Sequence, residues 1–428
     1  MTTTTTGTTT AADRPADQPA LRRALGVRDA VVIGLGSMIG VGVFAVFAPA
    51  ATAAGSGLLV GLLVAAVVAW CNATASAQLA AQYPTSGGTY VYGRERLGPW
   101  WGFLAGWGFV VGKTASCAAM ALTVATYALG GDAFAVRFLA IAAVVGLTVV
   151  TLRGITKTVR LATVLVLVTV GSIAATLLVV GAANRSWHSP LESLGSASVY
   201  GILQSAGLLF FAFAGYARIA TLGEEVRDPE TTIPRAIPRA LLIVVALYAV
   251  VAVALLAVLG PAGVDRTGLP LIEAAQQAGV GWLGALVRVA AVLAGLGALL
   301  GLVTGVSRTA LAMAREGDLP RALARVDAAH QVPQTAQIVV CAVVILLVVA
   351  VDVRTAIGFS SFGVLVYYAV ANAAALTQEP EQRRWPRGLH VLGLVGCVLL
   401  VVTLPWTAVV TGLLVLAIGL GGRAVVRR

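Results

Sequence analysis

Charge is what this chain is shortest of. Only 11% of its 428 residues are Asp, Glu, Lys or Arg, against about 25% in a soluble globular chain. Lysine is almost missing: Lys113 and Lys157 stand alone among the basic residues. An ordinary solvated enzyme surface is therefore excluded. The formal net charge of +11 does not point to nucleic acid, because the basic residues sit in short loops between apolar runs and are better explained as topology determinants. Histidine is scarce too, and His188, His330 and His390 fall at loops or segment ends. An enzyme embedded in a bilayer would need His, Asp or Glu clustered at depth, and none is present. Cys71, Cys117, Cys341 and Cys397 have neither metal-ligand nor redox spacing and read as small core residues. There is no GxxxxGK[ST] loop, which argues against an ATP-driven pump, and no motif that calls for a cofactor or metal.

What fills the chain instead is apolar sequence, 59% of all residues. A bilayer-spanning helix needs about 20 mostly apolar residues. Twelve segments meet that need: 28–53, 57–80, 99–129, 134–152, 158–182, 199–222, 236–259, 281–312, 335–352, 355–376, 388–404 and 406–422. With both termini cytoplasmic, 23 basic residues fall inside and five outside, Arg137, Arg185, Arg266, Arg288 and Arg354. That bias is the one expected of a protein in the cell membrane with an even number of spans. The Thr-rich stretch 1–26 reads as a disordered cytoplasmic tail, lacking the basic start and apolar core of a signal peptide. The remainder, 27–428, reads as one membrane domain, with short surface helices expected in the exterior connection 260–280.

Two segments carry signs of interruption. The first contains Gly34, Gly36, Gly40 and Gly42 in GLGSMIGVGVF. These glycines suit close helix packing or an unwound stretch lining a cavity, and density alone leaves both open. The sixth passes through Ala214-Gly215-Tyr216 into an acidic loop. Interruptions five segments apart are the expected sign of an inverted-repeat transporter, in which half-helix N–H groups hold an anion and free carbonyls hold a cation. In the third segment Gly98, Gly102 and Gly106, like Gly108 and Gly112, recur every four residues, which predicts tight packing without a break.

These motifs are familiar in combination. GLGSMIGVGVF, YPTSGGTYVYGRERLG (83–98), FFAFAGYARIATLGEEVRDPETTIPRAIP (210–238) and GVSRTALAMAREGDLP (305–320) together resemble the amino acid–polyamine–organocation superfamily, and most nearly its bacterial amino acid permeases, in the right order over about 25–380. The resemblance implies an all-α polytopic membrane protein of twelve transmembrane helices with the leucine-transporter-type 5+5 inverted repeat. Repeat one would cover about 27–182 and repeat two about 199–376, with accessory helices over 388–422 and helices 1 and 6 broken. It implies a secondary transporter working by alternating access. It also implies that Met38, Ile39, Gly40, Val41 and Gly42 meet Phe211, Ala214, Gly215 and Tyr216 around the substrate. The amides of Val41 and Gly42 would take its carboxylate, the carbonyls of Met38, Phe211 and Ala214 its amino group, and Tyr216 would gate or line the pocket.

Lys113 lies about fourteen residues into the third segment. An ionisable group at depth is costly and so marks function by default, although a lysine can also snorkel along its stem. It is the proton-coupling candidate. Some proton-coupled relatives carry a lysine in the fifth helix, where this chain has Thr169; residues 289–303 lack the Ser and Thr that sodium-dependent relatives use in the eighth. Proton symport or substrate exchange is therefore favoured over sodium. No Asp or Glu lies at membrane depth, which disfavours cationic substrates and leaves a neutral amino acid as the expected partner. Ser116, Met120, Phe213, Ser360, Ser361 and Asn372 are possible pocket residues. The alternative within carriers is a cationic amino acid or polyamine exchanger; a membrane sensor or channel is the alternative of another class.

Overall fold

The computed structural model describes residues 23–426 except 86, 155–158, 185, 193, 267 and 328. Most of the expected tail, with Arg14 and Arg22, lies outside the described residues, as do Lys157, Arg185, Arg427 and Arg428. Sixteen α-helices follow one another among the described residues. In order they are α1 (Val27–Ala45), α2 (Phe47–Ala54), α3 (Leu58–Gln82), α4 (Thr89–Leu97), α5 (Pro99–Leu129), α6 (Ala133–Leu152), α7 (Val159–Ala183) and α8 (Val199–Phe213). The remainder are α9 (Ala217–Ala220), α10 (Pro229–Arg266), α11 (Pro270–Gln277), α12 (Gly281–Arg315), α13 (Gln334–Ala350), α14 (Val353–Leu376), α15 (Arg387–Thr403) and α16 (Trp406–Val426). No strand is found among the described residues, only one isolated bridge between Leu25 and Val226. Among the described residues, ten helical stretches are long and apolar enough to cross a membrane. The apolar helices Gln334–Ala350 and Arg387–Thr403 fall short of that length and occupy the ninth and eleventh predicted segments.

Gly102, Gly106, Gly108 and Gly112 of α5 behave as their spacing predicts, whereas Gly98 precedes the helix at φ +104° with nothing within 4 Å of a Cβ. The helix runs unbroken for 31 residues, and its Cβ-less face lets other backbone approach. A Cβ on Gly112 would stand 3.0 Å from the Ser360 carbonyl oxygen, and one on Gly108 2.9 Å from that of Gly363. α5 and α14 therefore touch backbone to backbone through the middle of the bundle.

At one end, here called the basal end, polar contacts knit the connections together. Residues 23–26 are not a free tail: the amides of Ala24 and Leu25 donate to the Glu225 carbonyl at 3.0 and 3.1 Å, and Arg227 returns a bond to Leu25 at 2.8 Å. Nearby, Asp318 is fully buried between Arg423, at 2.8 Å, and the Tyr90 hydroxyl, at 2.9 Å. The Arg423 guanidinium also lies over the Trp100 ring, 4.5 Å from its centroid. This fixes the end of α16 to α4, α5 and the α12 exit. Burial and the Asp318 carboxylate push the Tyr90 phenol well above its usual range, so it remains a donor. At the opposite end, Asp265 accepts from Thr52 at 2.5 Å, and Arg288 donates to the Tyr127 carbonyl at 2.9 Å. The connection 260–280 contains the short helix α11, with Pro270, Leu271, Ile272, Ala274 and Ala275 buried.

Two boundaries differ from the sequence-based expectation. The seventh segment begins at Pro229 rather than 236 and continues to Gly260, where φ reaches +66° and the chain turns out of the helix. Proline at a first helical position costs no hydrogen bond, so Pro229 starts this helix readily. The interruption of the first segment comes at Val46, four residues beyond the last glycine of the motif, because α1 stays helical through Gly34, Gly36, Gly40 and Gly42.

Candidate functional site

The sixth segment is interrupted where its sequence suggests. α8 ends at Phe213, residues Ala214–Tyr216 form a single 3₁₀ turn, and α9 continues in a new register. A tighter turn cannot sustain the i→i−4 ladder, so carbonyls at the junction become available to side chains. The Ala214 carbonyl accepts two: Nζ of Lys113 at 3.3 Å and the hydroxyl of Tyr368 at 3.3 Å. Lys113 is only 6% exposed. Tyr216 packs against Tyr368 with the rings tilted by 31° and their centroids 5.0 Å apart. Gly215 sits where a Cβ would come within 2.5 Å of the Ser37 carbonyl, so α1 crosses the break in direct backbone contact.

A cavity opens beside this junction. Ser37 of α1, Phe109, Lys113, Ser116 and Met120 of α5, and Phe211, Ala214 and Gly215 line its inner part. The remaining wall is α12, presented as Ala298, Gly301 and Gly305, and Arg218 and Arg308 stand toward the basal end. Gly301 and Gly305 are one helical turn apart and face open space, with nothing within 4 Å of a Cβ at either. The cavity runs into a basal vestibule reaching Leu25, Leu222 and Glu225, where Glu225 faces Arg308 at 3.7 Å.

The other side is shut. Tyr248 donates to the Met38 carbonyl at 2.7 Å, and Tyr127 to that of Phe44 at 3.1 Å. Phe44 stands edge-on to Tyr127, and Phe213 leans on Tyr248. A second cavity, lined by Thr123, Thr126, Tyr127, Thr52, Asp265 and Arg354, lies beyond this barrier. The two cavities follow one face of α5, and less than a turn of helix, from Met120 to Thr123, separates their linings.

Of the residues singled out from the sequence, Phe211, Ala214, Gly215 and Lys113 come together on the inner cavity. Met38, Ile39, Gly40, Val41 and Gly42 do not reach it. They lie buried inside the helical part of α1, and the ladder there engages the Val41 and Gly42 amides. Their glycines serve close packing: a Cβ on Gly40 would meet that of Ala298 at 2.5 Å, and one on Gly42 the Tyr248 hydroxyl at 2.5 Å. Tyr216 is fully buried behind the turn. Ser116 and Met120 line the cavity, while Ser360 lies behind Ser116, oxygen to oxygen at 2.5 Å. Asn372 is engaged elsewhere, donating to Asn72 at 2.6 Å. Among the described residues no His, Cys, Asp and Glu group could hold a metal ion.

The sequence was blind to Ala298, Gly301 and Gly305, because small apolar residues in an apolar helix announce nothing. It also assigned Arg218 and Arg308 to topology alone.

Comparison with known proteins identifies the family. The profile described as amino acid permease matches residues 25–420. An uncharacterized transporter of Mycobacterium tuberculosis is 58% identical over 407 residues, covering 95% of this chain and 92% of its own. The branched-chain amino acid permease of Bacillus subtilis is 26% identical over 435 residues, covering 94% and 92%. A cationic amino acid transporter of Arabidopsis thaliana, described as mitochondrial, is 26% identical over 379 residues, covering 83% and 62%. A multi-span helical protein of the cell membrane, with a cavity centred on an interrupted helix and a family match along nearly its whole length, this chain belongs to the amino acid permease family.

Proposed function

We propose that this permease carries neutral amino acids by alternating access, coupled to protons, with the cavity at the α8–α9 break as its transport site. The observation that carries the reading is the Ala214 carbonyl, which faces the cavity and holds a buried ammonium, that of Lys113. Cavities stacked on either side of one aromatic barrier are what a carrier needs if it exposes one site alternately. In this reading the structure is open at the basal end. That end is cytoplasmic, since it gathers Arg94, Arg218, Arg308 and Arg423. Twelve membrane-crossing helices follow if α13 and α15 also span. Spans 1–5 and 6–10 then form the inverted repeats, supported by interruptions at Val46 and at 214–216.

Substrate binding engages Phe211, Ala214 and Gly215 directly. Met38, Ile39, Gly40, Val41 and Gly42 join when the α1 turn loosens from Tyr248 and frees the Val41 and Gly42 amides for a carboxylate; Tyr216 follows the turn. The absence of any carboxylate from the inner wall, beside Lys113, supports neutral over cationic substrates. Lys113 is the proton-coupling residue, the one ionisable side chain among the described residues of the inner wall that touches the break.

Substrate protection tests the reading. In a Cys341→Ala background, a Met120→Cys variant should react with a membrane-permeant maleimide, and saturating leucine should slow that reaction while arginine does not. Labelling unaffected by every neutral amino acid would place the transport site elsewhere.

A further inference from the structure

The amine-binding side of this cavity is already occupied by the protein. A carbonyl oxygen has two lone pairs, and those of Ala214 receive Lys113 Nζ and the Tyr368 hydroxyl, each at 3.3 Å. An arriving ammonium would find this acceptor filled. Lys113 itself is a three-proton donor with one hydrogen-bond acceptor among the described residues, the Ala214 carbonyl, and it is buried to 6% exposure on the wall of the same cavity. No carboxylate lines that wall to neutralise it; Glu225 stands in the basal vestibule facing Arg308. Ser37 donates to the Ile33 carbonyl at 2.9 Å and Ser116 to that of Gly112 at 3.3 Å, so neither hydroxyl proton is spare. A buried ammonium without a counter-ion is matched by an anion and repels a cation.

We propose that Lys113 is a resident ammonium, so that the cavity accepts carboxylates lacking an α-amine, such as branched 2-oxo acids, as readily as it accepts amino acids. Lys113 supplies the positive group that an amino acid brings with it, bridging the Ala214 carbonyl and the carboxylate of the ligand. An amino acid must displace Lys113 from Ala214 or leave its own amine without that acceptor, while a 2-oxo acid meets neither problem. The inference rests on the cavity being the transport site, and it adds a substrate class to that reading.

The test is displacement of labelled leucine from the purified full-length protein by leucine and by 4-methyl-2-oxopentanoate. In the unaltered protein the two should compete within about threefold of each other. In Lys113→Met one of the two Ala214 lone pairs is vacated and the cationic partner lost, so the 2-oxo acid should become at least about tenfold weaker than leucine, the scale of one charge-assisted hydrogen bond. Lys113→Ala makes the same test if the methionine variant does not yield monodisperse protein. A 2-oxo acid already tenfold weaker in the unaltered protein, or a ratio unchanged by either substitution, overturns the proposal. If labelled leucine does not bind at all, the amino acid reading fails separately. Direct binding of labelled 2-oxo acid then decides this one: binding lost on substitution of Lys113 supports it, and absent or unaltered binding refutes it.

Discussion

Lys113→Met is expected to yield a folded permease that moves leucine down its own gradient and no longer accumulates it when a proton gradient is imposed. Replacing a buried, thinly satisfied ammonium by an apolar side chain of similar volume costs little stability, because no stranded counter-ion is left behind. The transport effect should nevertheless be complete. Lys113 joins α5 to the interrupted sixth segment at the Ala214 carbonyl, so its charge state bears on the junction that has to move. With methionine there, substrate gradients remain the sole driving force. Counterflow and proton-driven uptake, measured side by side in proteoliposomes, separate the two; proton-driven accumulation equal to that of the unaltered protein would reduce Lys113 to a packing residue.

The second large effect is expected at Gly301. Its Cβ direction is empty, and it lines both the inner cavity and the basal vestibule. Gly301→Leu should fill the space a substrate needs, with its Cβ entering open space, and it replaces a poor helix former by a good one, a gain somewhat under about 1 kcal/mol in a helix interior. Leucine binding should vanish with thermal stability unchanged or raised. Gly171 in α7 is the control, since a Cβ there also meets nothing but Gly171 lines neither cavity. Gly171→Leu should leave binding intact. If Gly301→Leu still binds leucine at normal affinity, the cavity is not where substrate sits.

The unequal legibility of this fold in its sequence has physical causes. Apolar length is what the bilayer demands, and all twelve predicted segments correspond to apolar helical stretches. The four-residue glycine spacing of α5 was equally plain, because periodicity maps directly onto a packed face. The first segment was ambiguous for a stated reason: glycines that permit unwinding also permit close contact, and in this conformation Gly40 and Gly42 are used for contact against Ala298 and Tyr248. The pairing of Leu25 with Val226 could not be read at all, since backbone hydrogen bonds leave no trace in side-chain identity. The cavity was half legible. Polar Lys113 and Ser116 stand out in an apolar helix, whereas Ala298 and Gly301 contribute only by being small.

The central claim is that the junction at Ala214 and Lys113 is a proton-coupled site for neutral amino acids. Uptake of labelled leucine, arginine and glutamate into sodium-free proteoliposomes, with and without an imposed pH gradient, tests it most directly. The account predicts gradient-driven accumulation of leucine, little of arginine or glutamate, and no requirement for sodium. Accumulation of arginine in preference to leucine, or leucine uptake that needs sodium and ignores pH, would contradict it.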